Sequence, residues 1–133
     1  MTILGLEWLD EQIAALDAIP LDTQLALLRH AIDDRAGLAL QIEPTIQAWL
    51  KRDLAALSRI NLAEEAGDPE LARHYALLTR HIVDNRNVVM AHRLFLPLRA
   101  GKVFVAVGAL HLYGEQGLLA LLKQQGYQVR RVY

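Results

Sequence analysis

Two positions in the last quarter of the chain, Gly108 and His111, have residue types and a spacing that suit chemistry. They follow the apolar run 102–107, and open α/β folds bind ligands at the carboxyl end of such strands. A glycine permits a sharp turn there, and a histidine beyond it can act as a metal ligand or general acid–base. A loop histidine that bonds the backbone is the alternative, and both interpretations stay open.

Residues 84–87, with the sequence Asp-Asn-Arg-Asn, interrupt the apolar stripe of a predicted helix. Arg86 and Asn87 are types that bind a carboxylate or peptide carbonyl and orient a neighbouring ligand. A solvated helix face would produce the same cluster. Gly114 and Glu115 precede the last predicted helix, where a carboxylate favours the positive end of the helix dipole and capping is the simpler role.

The elements that must position these residues begin with four helices over residues 5–96. Glu7 opens the first, where its charge is favourable without any other task. The boundary signals are Ile19-Pro20 at the end of the first helix, Asp22 as N-cap and Ala36-Gly37 at the end of the second, Pro44 in the first turn of the third, and Asp68-Pro69 at the start of a fourth that runs toward Leu94.

After Pro97 the pattern changes, and residues 102–107 and 127–133 resemble strands on either side of a helix that ends at Gly126. The expected fold class is therefore α/β with an α+β-like layout: about four helices in residues 1–98, then a β-α-β unit in residues 99–133. Two parallel strands do not make a stable sheet. The sheet is thus predicted to be incomplete in one chain, and a second copy or upstream residues would supply the missing strands.

Composition excludes several classes of function. A net charge of −1 with scattered basic residues disfavours nucleic-acid binding, and the absence of cysteine excludes disulfides and thiolate chemistry. No uncharged run is long enough to span a membrane, and residues 1–10 lack a secretory signal. The chain is expected to be soluble as written, its compartment is unknown, and a cell-envelope or periplasmic location is expected for a longer parent.

Three groups of residues, taken in order, resemble the TraB/PrgY/GumN family. They are Gly5-Leu6-Glu7 with Glu11-Gln12, then residues 84–87, then residues 103–112 with Gly114-Glu115 and Gly117-Leu118. The resemblance covers essentially the whole chain, and its most specific part is residues 103–126. That family is similar to the Tiki metalloproteases, whose active site combines two GxxH motifs, a glutamate and an Arg-Asn pair.

The resemblance implies that His111 belongs to the second GxxH motif and that Glu7 is the active-site glutamate. Both residues would hold a divalent metal ion, and the sequence does not distinguish manganese, cobalt and zinc. It implies that Arg86 and Asn87 position a peptide substrate. The sequence has one GxxH motif, so the resemblance places it in the C-terminal half of the family domain. The chain is therefore expected to be one domain or half of a larger one. Without the first GxxH motif, it is expected to be inactive alone.

The implied function is a portion of a metal-dependent, peptidase-like hydrolase. Its expected partners are the missing N-terminal half of the domain or a second copy, and a peptide substrate. The alternative is a non-catalytic protein that binds or sequesters a peptide or pheromone.

Overall fold

The computed structural model describes residues 2–61 and 68–132, most of which are helical. No helix among them is long and apolar enough to span a membrane. Two short irregular turns, a π-helical turn at Arg80–Asp84 and a 3₁₀ turn at Ala109–Leu112, separate helices that follow one another in the chain. The α-helices are α1 (Leu9–Asp17), α2 (Leu21–Asp33), α3 (Arg35–Leu40), α4 (Ile42–Leu50), α5 (Leu54–Asn61), α6 (Pro69–Thr79), α7 (Asn85–Ala100) and α8 (Leu118–Gln124).

The second and third predicted helices are each divided in two. Asp22 lies inside α2, whose N-cap is Pro20, and Asp34 ends α2 and caps α3 by accepting a hydrogen bond from the Gly37 N–H. The third divides at residues 51–53, because Arg52 has a φ of 56° and leaves the helical region of backbone conformation. Asp53 then accepts a hydrogen bond from the Ala56 N–H and starts α5.

The fourth predicted helix begins as expected and extends further. The Asp68 carboxylate accepts hydrogen bonds from the Glu70 and Leu71 N–H groups, which confirms it as the N-cap of α6. The helical path then passes through the π turn into α7 and continues beyond Pro97 to Ala100. Pro97 does not end the helix. It lacks a backbone N–H group to donate, but its carbonyl still accepts a hydrogen bond from the Gly101 N–H.

The predicted α/β fold class with a β-α-β unit is wrong, because the described residues contain no strand. Residues 102–107 and 128–132 run without regular secondary structure on either side of α8, and residue 133 lies outside the described residues. A strand exists through hydrogen bonds to a neighbouring strand, and among the described residues no backbone hydrogen bond joins these two segments. Gly126, with a φ of 93°, does follow α8 as a C′ glycine.

The core lies where α7 packs on α8. Met90, Ala91 and Leu94 form a buried stripe on α7 at helical spacing, and they contact Leu118 at the start of α8. Leu6, Leu98, Val105, Val107 and Leu121 pack around this cluster. Because α7 carries Arg86 and Asn87 in its first turn, the same packing fixes the direction in which those two side chains leave the helix.

Candidate functional site

Arg86 joins the start of α7 to the N-terminal segment. Its Nε and Nη2 atoms donate to the two carboxylate oxygens of Glu7, at 2.7 and 2.8 Å, and its Nη1 donates to the Ile82 carbonyl at 2.8 Å. The Glu7 side chain is 9% exposed, so this is a largely desolvated, bidentate ion pair. The hydrogen bonds to Glu7 raise the pKa of Arg86 and keep it charged.

Asn87 joins α7 to the segment that carries His111. Its Nδ2 donates to the Gln116 carbonyl at 2.8 Å, and its Oδ1 lies 2.7 Å from His111 Nδ1. A backbone carbonyl can only accept, so the orientation of the amide is set and Oδ1 faces the imidazole as an acceptor. His111 Nδ1 must therefore carry the proton, and the neutral ring has its lone pair on Nε2.

The surroundings of His111 favour the neutral ring. Burial of the imidazole lowers its pKa, the Arg86 guanidinium lowers it further, and the Glu7 carboxylate partly opposes them. A histidine held neutral, with Nε2 unprotonated, can accept a proton or bind a metal ion near pH 7. Glu7, Arg86, Asn87 and His111, which the family resemblance grouped, thus lie in two neighbouring hydrogen-bonded sets that start from adjacent residues of α7.

The glycines around His111 have different roles. A side chain on Gly117 would meet the Tyr113 carbonyl oxygen at 2.4 Å, so only glycine allows the loop to fold back before α8. Gly114 has a φ of 89° in the same loop. Gly108, predicted to permit a sharp turn, has an ordinary φ of −61° and space for a methyl group. Glu115 is exposed, and it takes no part in the hydrogen bonds that join Asn87 to Gln116 and His111.

An open groove of about 660 Å³ runs past His111 and Arg86. Its walls are mainly apolar and include Ile46 and Trp49 of α4 and Ile82 of the π turn. Trp49 is 64% exposed although it lines this groove. Gly108 also lines the groove beside His111.

Arg93 belongs to the same structural group but was not identified from the sequence. Its Nη1 donates to the Leu6 carbonyl at 2.8 Å, and its two Nη atoms bind the Glu11 carboxylate. These bonds lower the pKa of Glu11 to about 2. Arg93 follows Arg86 by seven residues, which places both on one face of α7, and that spacing was the available signal.

The donor set does not make a metal site by itself. The described residues contain no group of three or more histidine, aspartate or glutamate side chains arranged to hold an ion. Both oxygens of Glu7 already accept from Arg86, whose positive charge opposes a nearby cation. Protein zinc sites use three or four ligands, so a divalent ion at His111 would need ligands from beyond the described residues.

These features define a helical protein with a partly buried, oriented histidine beside an apolar groove. The model of the TraB/PrgY/gumN family matches residues 1–131. The chain therefore belongs to the TraB/PrgY/gumN family, as its motifs predicted. No curated protein and no solved structure matches it.

Proposed function

We propose that this chain contributes a histidine and an apolar binding groove to a hydrolase-type site that acts on peptide-like ligands. The observation that carries the proposal is the chain of hydrogen bonds from the Gln116 carbonyl through Asn87 to His111 Nδ1. A histidine whose second nitrogen is fixed in this way is typical of metal ligands and of general bases.

The burial of Asn87 supports a role beyond capping. Asn87 has no exposed surface, and a buried amide is costly unless its polar atoms are hydrogen-bonded. A loop histidine that merely satisfied the backbone would bond a carbonyl directly. Here the buried amide stands between the carbonyl and the ring, and it fixes which nitrogen of His111 carries the lone pair.

The groove supports a ligand with an apolar side chain. Trp49, Ile46 and Ile82 offer apolar surface next to His111, and the nearest charge, on Arg86, is paired with Glu7. An apolar residue of a peptide could pack there while its backbone lies against the histidine. A divalent ion, if the complete site holds one, would take His111 Nε2 as a ligand and polarise the scissile carbonyl.

A second candidate, capture of a peptide without turnover, is favoured by the state of Glu7. A hydrolytic site needs a further base or ligand beside His111, and both Glu7 oxygens are engaged by Arg86. The same groove and histidine would then bind the ligand without cleaving it.

The test uses Trp49 as a reporter of the groove. In a Trp8→Phe background Trp49 is the sole tryptophan, since the chain has two. We expect a blocked leucine-rich hexapeptide to change its fluorescence and a blocked aspartate-rich hexapeptide to leave it unchanged. His111→Gln should weaken the effect several-fold, whereas the matched variant His92→Gln, at an exposed position of α7, should not.

Cleavage separates the two candidates. The same peptide is incubated with the chain and with manganese, cobalt or zinc, with and without a chelator, and followed by mass spectrometry. Metal-dependent cleavage that His111→Gln abolishes favours the hydrolase, and binding that the chelator leaves unchanged favours capture. Failure of the leucine-rich peptide to affect Trp49 would contradict both.

A further inference from the structure

A second groove, of about 890 Å³, lies between the end of α4 and the C-terminal segment. Its lining includes two pairs of adjacent cations that are far apart in the chain, Lys51-Arg52 and Arg130-Arg131, and all four residues are exposed. Among the described residues the lining adds one carboxylate, Asp53, which already accepts a hydrogen bond from the Ala56 N–H. The chain as a whole has a net charge of −1, so the positive charge of this cationic groove is local and favours an anionic ligand.

The cationic groove connects with the apolar groove that contains the histidine. A depression of about 360 Å³ has Trp49, Leu57 and Ala109 in common with the apolar groove. The same depression has Arg52 and Leu54 in common with the cationic groove. A peptide that extends beyond the apolar groove along this depression therefore reaches the cationic groove.

Lys51 and Arg130 are the cations of this groove whose charge is most available to a ligand. Neither forms an ion pair within the part of the chain that the structure describes. Arg52 and Arg131 line the same groove, and each makes a further contact. A guanidinium can bind a carboxylate through two parallel hydrogen bonds, and an ammonium adds a second positive charge. The groove thus offers cationic donors to acidic side chains.

We propose that the cationic groove binds acidic residues of the same peptide whose apolar part lies in the apolar groove. This specificity rests on the proposed function and narrows it to peptides in which an apolar and an acidic segment follow one another. The charge nearest the apolar groove, on Arg86, is paired with Glu7, so selection for acidic residues falls to the cationic groove. Several carboxylates bound by several cations act together, whereas a single exposed ion pair contributes little. An acidic peptide without an apolar part would lie away from Trp49, which does not line the cationic groove.

The test compares two blocked decapeptides, each of which joins the leucine-rich hexapeptide to four further residues, aspartates in one and asparagines in the other. Affinity is measured by Trp49 fluorescence in the Trp8→Phe background and by calorimetry. At low salt we expect the aspartate peptide to bind about tenfold more tightly, and salt should reduce this advantage because exposed ion pairs are screened. Each peptide is also made with the four residues at its other end, and the tighter order gives the direction of the peptide along the grooves.

A pair of double variants locates the source of the advantage. Lys51→Gln with Arg130→Gln should leave the aspartate peptide at most about threefold tighter than the asparagine peptide. The matched control, Arg29→Gln with Arg73→Gln, removes the same net charge at exposed positions of α2 and α6 and should keep the full advantage. Binding of the asparagine peptide should be unchanged in both, which together with circular dichroism checks that the variants fold.

The outcomes separate this specificity from the proposed function. Equal affinity for the aspartate and asparagine peptides would overturn the acidic specificity and leave the proposed function standing. An advantage that both double variants reduce equally would come from net charge and not from this groove, and it would also overturn the proposal. If neither peptide binds, the proposed function fails and the acidic specificity fails with it.

Discussion

Asn87 is the residue on which the geometry of the site depends. It lies three residues before Met90, so it belongs to the same buried face of α7 as the apolar core. A polar side chain in a core stripe needs partners for its donor and its acceptor, and Asn87 finds one of each, in Gln116 and His111. The core that buries Asn87 therefore also orients the imidazole.

The charges of Glu7 and Arg86 should shift the pKa of His111 in opposite directions. Glu7→Gln removes a negative charge that raises this pKa, so the pKa should fall. Arg86→Gln removes a positive charge that lowers it, so the pKa should rise. Titration of the imidazole Hε1 resonances by NMR measures both, with the unsubstituted chain as the reference. Shifts of the same sign in both variants would show that lost hydrogen bonds, not charge, control His111.

At the scale of elements, the π-helical turn at Arg80–Asp84 decides which residues of α7 face the site. A π turn accommodates an additional residue in a helical path, and such turns occur often at functional sites. The Asn85 N–H donates to the Arg80 carbonyl, five residues earlier, and the Arg86 side chain donates to the Ile82 carbonyl. The turn thus sets the rotation of α7 relative to α6.

Inserting one alanine after Asp84 should uncouple the two ends of this helical path. The π turn already accommodates one additional residue, so a further residue would turn α7 by about 100° relative to α6, since each residue advances a helix by that angle. Asn87 and the packing of α7 on α8 would then conflict with α6. We expect far-UV circular dichroism to show retained helix, and NMR to show the His111 pKa returning toward its ordinary value. Asp84→Ala, which keeps the residue count, is the control; an unchanged His111 titration after the insertion would contradict this role for the turn.

The sequence predicted helix starts that depend on neighbouring residues, but it did not predict which residues far apart in the chain contact one another. Asp68-Pro69 predicted a helix start correctly because a cap acts within three residues. The β-branched run 102–107 predicted a strand wrongly, because its side chains suit a sheet while strand formation depends on a partner elsewhere. Glu7 and Arg86 are 79 positions apart, and no local pattern links them. Their association was implied by the family resemblance.

At the scale of the whole molecule, much apolar surface is uncovered. Leu40, Leu96, Phe104 and Val132 are each more than 70% exposed, and the fully buried core is confined to few residues. Large apolar side chains that are this exposed leave apolar area that a binding partner or further chain can cover. The stability of the fold is therefore expected to depend on what covers this surface as well as on the α7–α8 core.

This surface leads to a prediction about unfolding in urea. The m-value scales with the area exposed on unfolding, and the chain buries about four-fifths of the area that a compact domain of its mass buries. The monomer should thus unfold with an m-value about a fifth below that expected for 133 residues. Urea unfolding followed by circular dichroism, repeated at several protein concentrations, measures this m-value. An m-value typical of a compact domain at every concentration would mean that the exposed apolar surface folds inward in solution.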